Sequence, residues 1–179
     1  MALADAIADK FEELFSSYRY IPEEMDRSEF YRFLERTKKE LILVTGELDE
    51  TLYAQGRVVN HLRRIVECGG LLKIVGNMGV KTPEAAHETL QEKHPILCSL
   101  MKKYPERVQF LWAPKRPNAH YAIGDGVNVL IEGPHPPNGE REVWYFYDDA
   151  KLGEEWRGYF QEYLDKVAPQ QITCARKAA

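Results

Sequence analysis

Hydrophobic residues follow two patterns along this chain, short runs that are almost wholly apolar and longer segments in which apolar residues recur every three or four positions. The short runs predict strands, and they cover 40–45, 71–75, 108–112 and 142–147. The longer segments predict helices, and they cover 2–15, 28–39, 51–68, 83–104 and 151–167, with an interruption expected near Pro95. Because strands and helices alternate from residue 40, we expect βαβ units with parallel strands.

The pattern changes in the second half of the chain, where two further strand-like runs lie close together. Residues 119–123 and 127–132 flank Gly124-Asp125-Gly126, and Asp-Gly is typical of a tight hairpin turn because both residues tolerate positive φ. The sequence therefore predicts an α/β domain with a mixed sheet flanked by helices. We expect an N-terminal helical segment over 1–39 that packs on the domain, a main domain over 40–167 and a flexible tail over 168–179.

Composition and charge narrow the class of protein. The 179 residues carry 24 Lys and Arg against 28 Asp and Glu, so the formal net charge of −4 argues against a global field that would hold nucleic acid. The apolar runs are far shorter than the ~20 residues that span a bilayer. The first ten residues lack a basic leader, so we expect a cytoplasmic protein. The three cysteines have no zinc or redox spacing, and we expect them to be reduced.

Side chains capable of chemistry concentrate around the predicted hairpin. Alternation along a strand places Asn118 and His120 on one face, and Glu132 on the returning strand can approach that face. His135 follows shortly after and could join them. His120 and Glu132 could equally be structural, and Asp125 could be only a turn former. Elsewhere, residues 76–79 (GNMG) are either a weak ligand loop or a plain turn.

The chain order resembles one repeat of the phospholipase D superfamily. The resemblance covers roughly Glu40 to Val167 and lies in ELILVTGELDETLY, GGLLKIVGN, the hairpin with its histidine and the final EVWYFYDDAKLGEEWRGYFQEYLD. It implies a single-repeat phospholipase D-like fold that acts on or binds phosphodiesters as a homodimer. In the family, His-x-Lys-x4-Asp lies on the hairpin and is followed by Gly-Ser-x-Asn. One histidine attacks phosphorus, the other repeat's histidine protonates the leaving oxygen, and the lysines hold phosphate oxygens.

This sequence departs from the family motif at most of its positions. With Asp125 matched to the motif's aspartate, Asn118 replaces the nucleophilic histidine and His120 replaces the lysine. With His120 matched to the histidine instead, Ala122 replaces the lysine. We expect any catalysis to use the side chains His120, Glu132 and His135. We expect ligand binding by Asn118, Asp125, Lys115 and Arg116, the last two as substitute cations.

Three hypotheses follow from the resemblance and its departures. The first is a homodimeric phosphodiesterase or nuclease with His120 of each subunit near the twofold axis, and no cofactor. The second is an inactive relative that keeps the cleft and binds a nucleic acid, a nucleotide or a protein, with nucleic acid disfavoured by the net charge. The third is a dimerisation module, in which the aromatic run 144–147 is core if its strand is central and a partner surface if the strand lies at an edge. A metal site built from His120, Glu132 and His135 is an open alternative to acid–base chemistry.

Overall fold

A computed structural model describes residues 23–117, 119–133 and 143–174, with side chains from residue 27 onward. The helices are α1 (Glu23–Arg36), α2 (Glu50–Tyr53), α3 (Gly56–Glu67), α4 (Pro83–Lys93), α5 (Pro95–Lys103) and α6 (Ala150–Val167). The strands are β1 (Glu40–Thr45), β2 (Leu71–Gly76), β3 (Val108–Trp112), β4 (His120–Gly124), β5 (Asn128–Glu132), β6 (Val143–Phe146) and β7 (Gln170–Ile172). The predicted α/β class and the helix break at Pro95 are confirmed.

The strands form one mixed sheet in the order β6-β5-β4-β1-β2-β3-β7. Strands β1, β2 and β3 are parallel, whereas β4, β5 and β6 add on one side as antiparallel neighbours and β7 adds antiparallel to β3. The helical crossovers between β1, β2 and β3 make the two predicted βαβ units. As a result, the carboxyl ends of β1 and β5 and the amino end of β4 lie at the same edge of the sheet, which we call the carboxyl edge.

Alternate residues of each central strand face two separate apolar layers. Leu41 and Leu43 of β1 pack with α1, α3, α4 and α5, whereas Ile42 and Val44 pack on the other side with α6. Strands buried on both faces need continuous apolar runs, and β1 supplies one with ELILVT. The sheet is therefore the rigid middle layer that fixes where its end residues project.

At the opposite edge of the sheet, the Asp125 turn is hydrogen-bonded to the segment that connects α1 and β1. The Asp125 carboxylate accepts hydrogen bonds from the backbone N–H groups of Lys38, Lys39 and Glu40 at 2.7–3.1 Å. Asp125 has φ 54°, a conformation in which aspartate is more common than most residues. Helix α6 also approaches this turn closely, since a Cβ at Gly153 would collide with the backbone carbonyl of Gly126. The turn thus joins the hairpin to both the α1–β1 connection and α6.

Three of the predicted elements differ from the structure. The single helix predicted over 51–68 is divided into α2 (Glu50–Tyr53) and α3 (Gly56–Glu67). Helix α1 covers Glu23–Arg36 rather than the predicted 28–39, so Ser28 lies inside the helix. The segment from 168, expected as a loose tail, contains β7, in which Ile172 is buried against β3. The expected helix over 2–15 lies outside the described residues. Within the described part of the chain, no helix is long and apolar enough to cross a membrane.

The aromatic run on β6 lies at one end of the sheet order, yet helices cover both of its faces. Trp144 and Phe146 are buried on the α6 side, and Tyr145 packs on the other side, 6.4 Å from Phe33 between ring centroids. Tyr147, just past the strand, donates a hydrogen bond to a Glu29 carboxylate oxygen at 3.0 Å. These side chains pack within the domain even though their strand is not central.

Candidate functional site

The candidate site lies at the carboxyl edge, where open α/β sheets commonly bind ligands. His120 begins β4 and Glu132 ends β5, and the two residues are directly paired across the antiparallel ladder. Paired residues in such a ladder have Cβ atoms about 4.5–5.5 Å apart, so the hairpin register itself brings the imidazole and the carboxylate together. The predicted proximity of these two side chains is present in the structure.

Both ring nitrogens of His120 face groups of this chain. The backbone N–H of Gly46 donates to His120 Nε2 at 3.2 Å, and Nδ1 lies 3.6 Å from Glu132 Oε2. Because Nε2 accepts a hydrogen, a neutral His120 carries its proton on Nδ1, the nitrogen that faces the carboxylate. The side chains are 16% and 17% exposed, so the pair is shielded but open to a ligand on one side.

Gly46 allows Arg116 and His120 to converge at the end of β1. A Cβ at this position would collide with Arg116 Nε and would lie 3.1 Å from His120 Nε2. A larger residue would therefore displace the guanidinium from the imidazole. Arg116 is the nearby cation that the sequence proposed as a substitute for the missing lysine, and the structure places it beside His120.

These side chains line a polar cleft of about 450 Å³ at the carboxyl edge. Among the described residues, its charged lining consists of four carboxylates, the cations Lys93 and Arg116, and His120. The carboxylates are Glu47, Asp49, Glu50 and Glu132. Three of the four come from the turn after β1, which reads GELDE. The cleft therefore combines a few donors for an anion with a majority of hydrogen-bond acceptors.

The turn after β1 is supported from within the domain by His94. His94 lies between α4 and α5, is 4% exposed, and bonds through Nε2 to the Leu48 carbonyl oxygen at 3.0 Å. It also lines an apolar cavity of about 260 Å³ that adjoins the cleft. Burial lowers the pKa of His94, because desolvation of the imidazolium outweighs the hydrogen bond to Leu48 and the attraction of Glu50.

The other predicted site residues have different positions. Asp125 lies at the far end of β4, roughly 17 Å along the strand from His120 at about 3.3 Å per residue, with its carboxylate on backbone N–H groups. Lys115 is exposed and is not among the residues that line the cleft. Asn118 and His135 lie outside the described residues. The structure therefore brings together His120, Glu132 and Arg116.

The loop over 76–79 is a turn whose polar groups are bound to neighbouring strands. Asn77 Nδ2 donates to the carbonyls of Ala113 and Val80 at 2.8 and 3.2 Å, and the Asn77 and Met78 N–H groups donate to the Gly46 carbonyl. Met78 and Gly79 both have positive φ, as expected for a tight turn. Of the two alternatives for this loop, the structure favours the plain turn.

The acidic lining of the cleft was not predicted as part of the site. Its signal in the sequence is the position of GELDE, directly after a buried strand whose carboxyl end lies at the ligand-binding edge of a parallel sheet. Asp49 is partly committed to structure, because it caps α2 by accepting from the Thr51 N–H at 2.8 Å. Among the described residues, no three His, Cys, Asp or Glu side chains form a group that could hold a metal ion.

Comparisons with known proteins give the fold. No model of a protein family matches the sequence, and no curated protein matches it. Among solved structures, Nuc from Salmonella typhimurium, a phospholipase D family member, aligns with a TM-score of 0.55 at 14% identity over 82% of this chain and 90% of its own. NucT from Helicobacter pylori aligns with a TM-score of 0.52 at 16% identity, over 83% and 94%.

A third similar structure is TrmBL2, an archaeal chromatin protein whose structure is described as showing a novel mode of DNA binding. It aligns with a TM-score of 0.55 at 14% identity, over 94% of this chain and 63% of its own. At these identities the likeness concerns the fold. The chain therefore has the phospholipase D-like fold that its sequence resembles, and its function has to be argued from the site.

Proposed function

We propose that this domain binds a small phosphodiester ligand in the cleft at the carboxyl edge, without the covalent histidine step of the phospholipase D superfamily. The observation that carries the proposal is the convergence of Arg116 on an imidazole whose two nitrogens already face Gly46 and Glu132. A guanidinium can bind two phosphate oxygens at once, which makes Arg116 the anchor for the phosphate.

The charge of the cleft limits the size and charge of the ligand. In its described lining, four carboxylates against two cations would repel the many phosphates of a nucleic acid strand, since each pair of like charges adds an unfavourable Coulomb energy. A single phosphodiester flanked by hydroxyl or amine groups avoids this repulsion, because those groups donate hydrogen bonds to carboxylates. The proposal therefore favours a mononucleotide-sized ester over a polymer.

We infer the lack of turnover from the residues at the motif positions that would supply the nucleophile and the cation. A phosphodiester transition state needs fixed cations on its equatorial oxygens, and Ala122 offers none in the register that makes His120 the nucleophile. When Asp125 is matched to the motif's aspartate instead, His120 takes the position of the lysine and Asn118 takes the position of the nucleophile. An amide cannot form the covalent intermediate.

The test is binding of glycerophosphoethanolamine, a small phosphodiester with hydroxyl and amine groups, by calorimetry, with hydrolysis followed in the same samples by phosphorus NMR. We expect saturable binding, no turnover, and about a 10- to 100-fold loss of affinity in Arg116→Ala, the range for a lost charged hydrogen bond. Lys115→Ala is the matched control, because it removes an adjacent exposed cation outside the cleft. Equal effects of the two substitutions, or no binding by the wild-type protein, would contradict the proposal.

A second candidate function, phosphodiester hydrolysis by a homodimer, is favoured by the His120–Glu132 pair. A carboxylate beside Nδ1 orients an imidazole so that Nε2 can act as a base or nucleophile. This candidate requires the Gly46 N–H to release Nε2 and a second subunit to complete the cleft. It predicts hydrolysis that is lost in His120→Asn with binding retained, and a dimer by light scattering at micromolar concentration. A monomeric wild-type protein without turnover would reject it.

A further inference from the structure

Two buried cysteines from distant parts of the sequence meet beneath the β3–β7 side of the sheet. Cys98 lies on α5 and is 4% exposed, and Cys174 lies two residues after β7 and is 7% exposed. Cys174 Sγ is 3.9 Å from the sulfur of Met101, one helical turn after Cys98 on the same face of α5. Cys98, Met101 and Cys174 belong to the same buried apolar cluster. Neither cysteine is in a disulfide.

The pair connects β7, the shortest of the described strands, to helix α5. Strand β7 has three residues, lies at the end of the sheet order and pairs only with β3 among the described strands. Its buried side chain, Ile172, lies opposite Phe110 in the register. A covalent link from Cys174 to α5 would hold this strand in place.

The environments of the two thiols differ in a way that suits stepwise oxidation. The neighbouring Cys98 thiol and His87 lower the pKa of Cys174, whereas the Cys174 thiol and burial raise the pKa of Cys98. A thiolate is the form that reacts with peroxides, and a neighbouring thiol can then resolve the product. Cys174 is therefore suited to react first and Cys98 to resolve.

We propose that Cys98 and Cys174 form a peroxide-sensitive dithiol that closes to an intramolecular disulfide and fastens β7 to α5. In the first step the Cys174 thiolate attacks one oxygen of a hydroperoxide, the O–O bond breaks, and sulfenic acid and hydroxide (or alkoxide) form. In the second step Cys98 sulfur attacks the sulfenic sulfur, the S–O bond breaks, and the disulfide forms with release of water. The hydroperoxide is the two-electron oxidant.

The Cys98–Cys174 pair is separate from the proposed ligand site. Neither cysteine is among the residues that line the cleft at the carboxyl edge. The third cysteine, Cys68, follows α3 and is exposed, so it could form intermolecular disulfides that would obscure the result. Its substitution by serine removes that reaction without altering the buried pair.

The experiment treats purified, reduced Cys68→Ser protein with hydrogen peroxide and maps the tryptic peptides without reduction. Cys98 lies in peptide 94–102 and Cys174 in peptide 167–176, so the disulfide predicts a linked pair that separates on reduction. We also expect Tm to rise by about 5–10 °C on oxidation and to return with a phosphine reductant, because the link closes a long loop.

Cys98→Ala in the same background is the control. It should abolish both the linked peptide and the reversible Tm shift. Should that variant fail to fold, the peptide map of Cys68→Ser protein still decides the question. Two thiols that stay reduced, or Cys174 that passes to sulfinic acid with no link to peptide 94–102, would overturn the proposal.

Discussion

Strand β4 begins with the polar residue His120 and is followed directly by Asp125, and these two residues serve different purposes. At one end Asp125 accepts hydrogen bonds from three backbone N–H groups and so joins the hairpin to the start of β1. At the other end His120 faces Glu132 and Gly46 at the wall of an open cleft. The comparison shows that a polar residue beside a buried strand reveals its role only through its neighbours. Asp125 meets several backbone donors and stabilises the fold, whereas His120 and Glu132 lie in the lining of the cleft.

The largest expected effect comes from breaking the Asp125 end. Asp125→Ala removes the acceptor for three N–H groups and places alanine at φ 54°, so we expect a loss of about 2–4 kcal/mol and a Tm lower by about 5–12 °C. Urea and thermal unfolding measure both quantities. Asp165→Ala, an exposed aspartate on α6, is the control and should change stability by about 0.5 kcal/mol or less. A similar cost in both variants would refute a special role for the turn.

A smaller and more selective effect is expected at the His120 end. Gly46→Ala places a Cβ against Arg116 Nε and near His120 Nε2, so we expect about a 10-fold loss of affinity for the phosphodiester probe with little change in Tm. The exposed guanidinium can move, which is why folding is spared and binding is not. Gly56→Ala has no atom near the added Cβ and is the control. Loss of stability without loss of affinity would make Gly46 a structural residue only.

The smallest expected effect is the pH dependence contributed by His94 under the carboxyl edge. Burial lowers the pKa of His94 in the folded state, so the unfolded chain binds the proton more readily. This contribution to stability is complete above the unfolded pKa of about 6.5 and is lost as the pH falls from there through the lower folded pKa. We expect wild-type protein to lose about 1 kcal/mol between pH 7.5 and 5.5 by urea unfolding.

His94→Gln should reduce this pH dependence, because the variant has no buried imidazole to protonate. Part of the loss should remain, since His61 also has a pKa lowered by burial and acts with the same sign. Hydrogen exchange adds a local readout, in which the Leu48 to Glu50 amides lose protection at pH 5.5 before those near Asp125. An unchanged pH profile in the variant would exclude His94 as its source.

Much of the fold could be predicted because local pattern and tertiary environment agree. The almost wholly apolar ELILVT predicts a buried strand and the Asp-Gly turn predicts a hairpin, and both are present. The end of the chain was harder, because three residues of β7 carry little periodicity and become a strand only by pairing with β3. The aromatic run of β6 was ambiguous for a similar reason, since α1 and α6 cover its faces.

The candidate site was predictable in part. Hairpin register made the approach of His120 and Glu132 foreseeable, because positions equidistant from a turn face each other. The roles of Arg116 and Lys115 could not be separated by sequence, since the two are adjacent cations and differ only in which one reaches Gly46. The contribution of GELDE depended on the sheet order, which places the end of β1 beside the start of β4.

The sequence by itself determined the α/β class, most of the strands and helices, the hairpin and the pairing of His120 with Glu132, because periodicity and turn chemistry act over short distances. Only the tertiary structure decided that Asp125 fastens the fold, that Arg116 and four carboxylates share one cleft, and that Cys98 meets Cys174. Those contacts join residues that are far apart in the chain. Which residues meet depends on the order of the strands in the sheet and on the helices that pack on its faces, and no local sequence pattern specifies either.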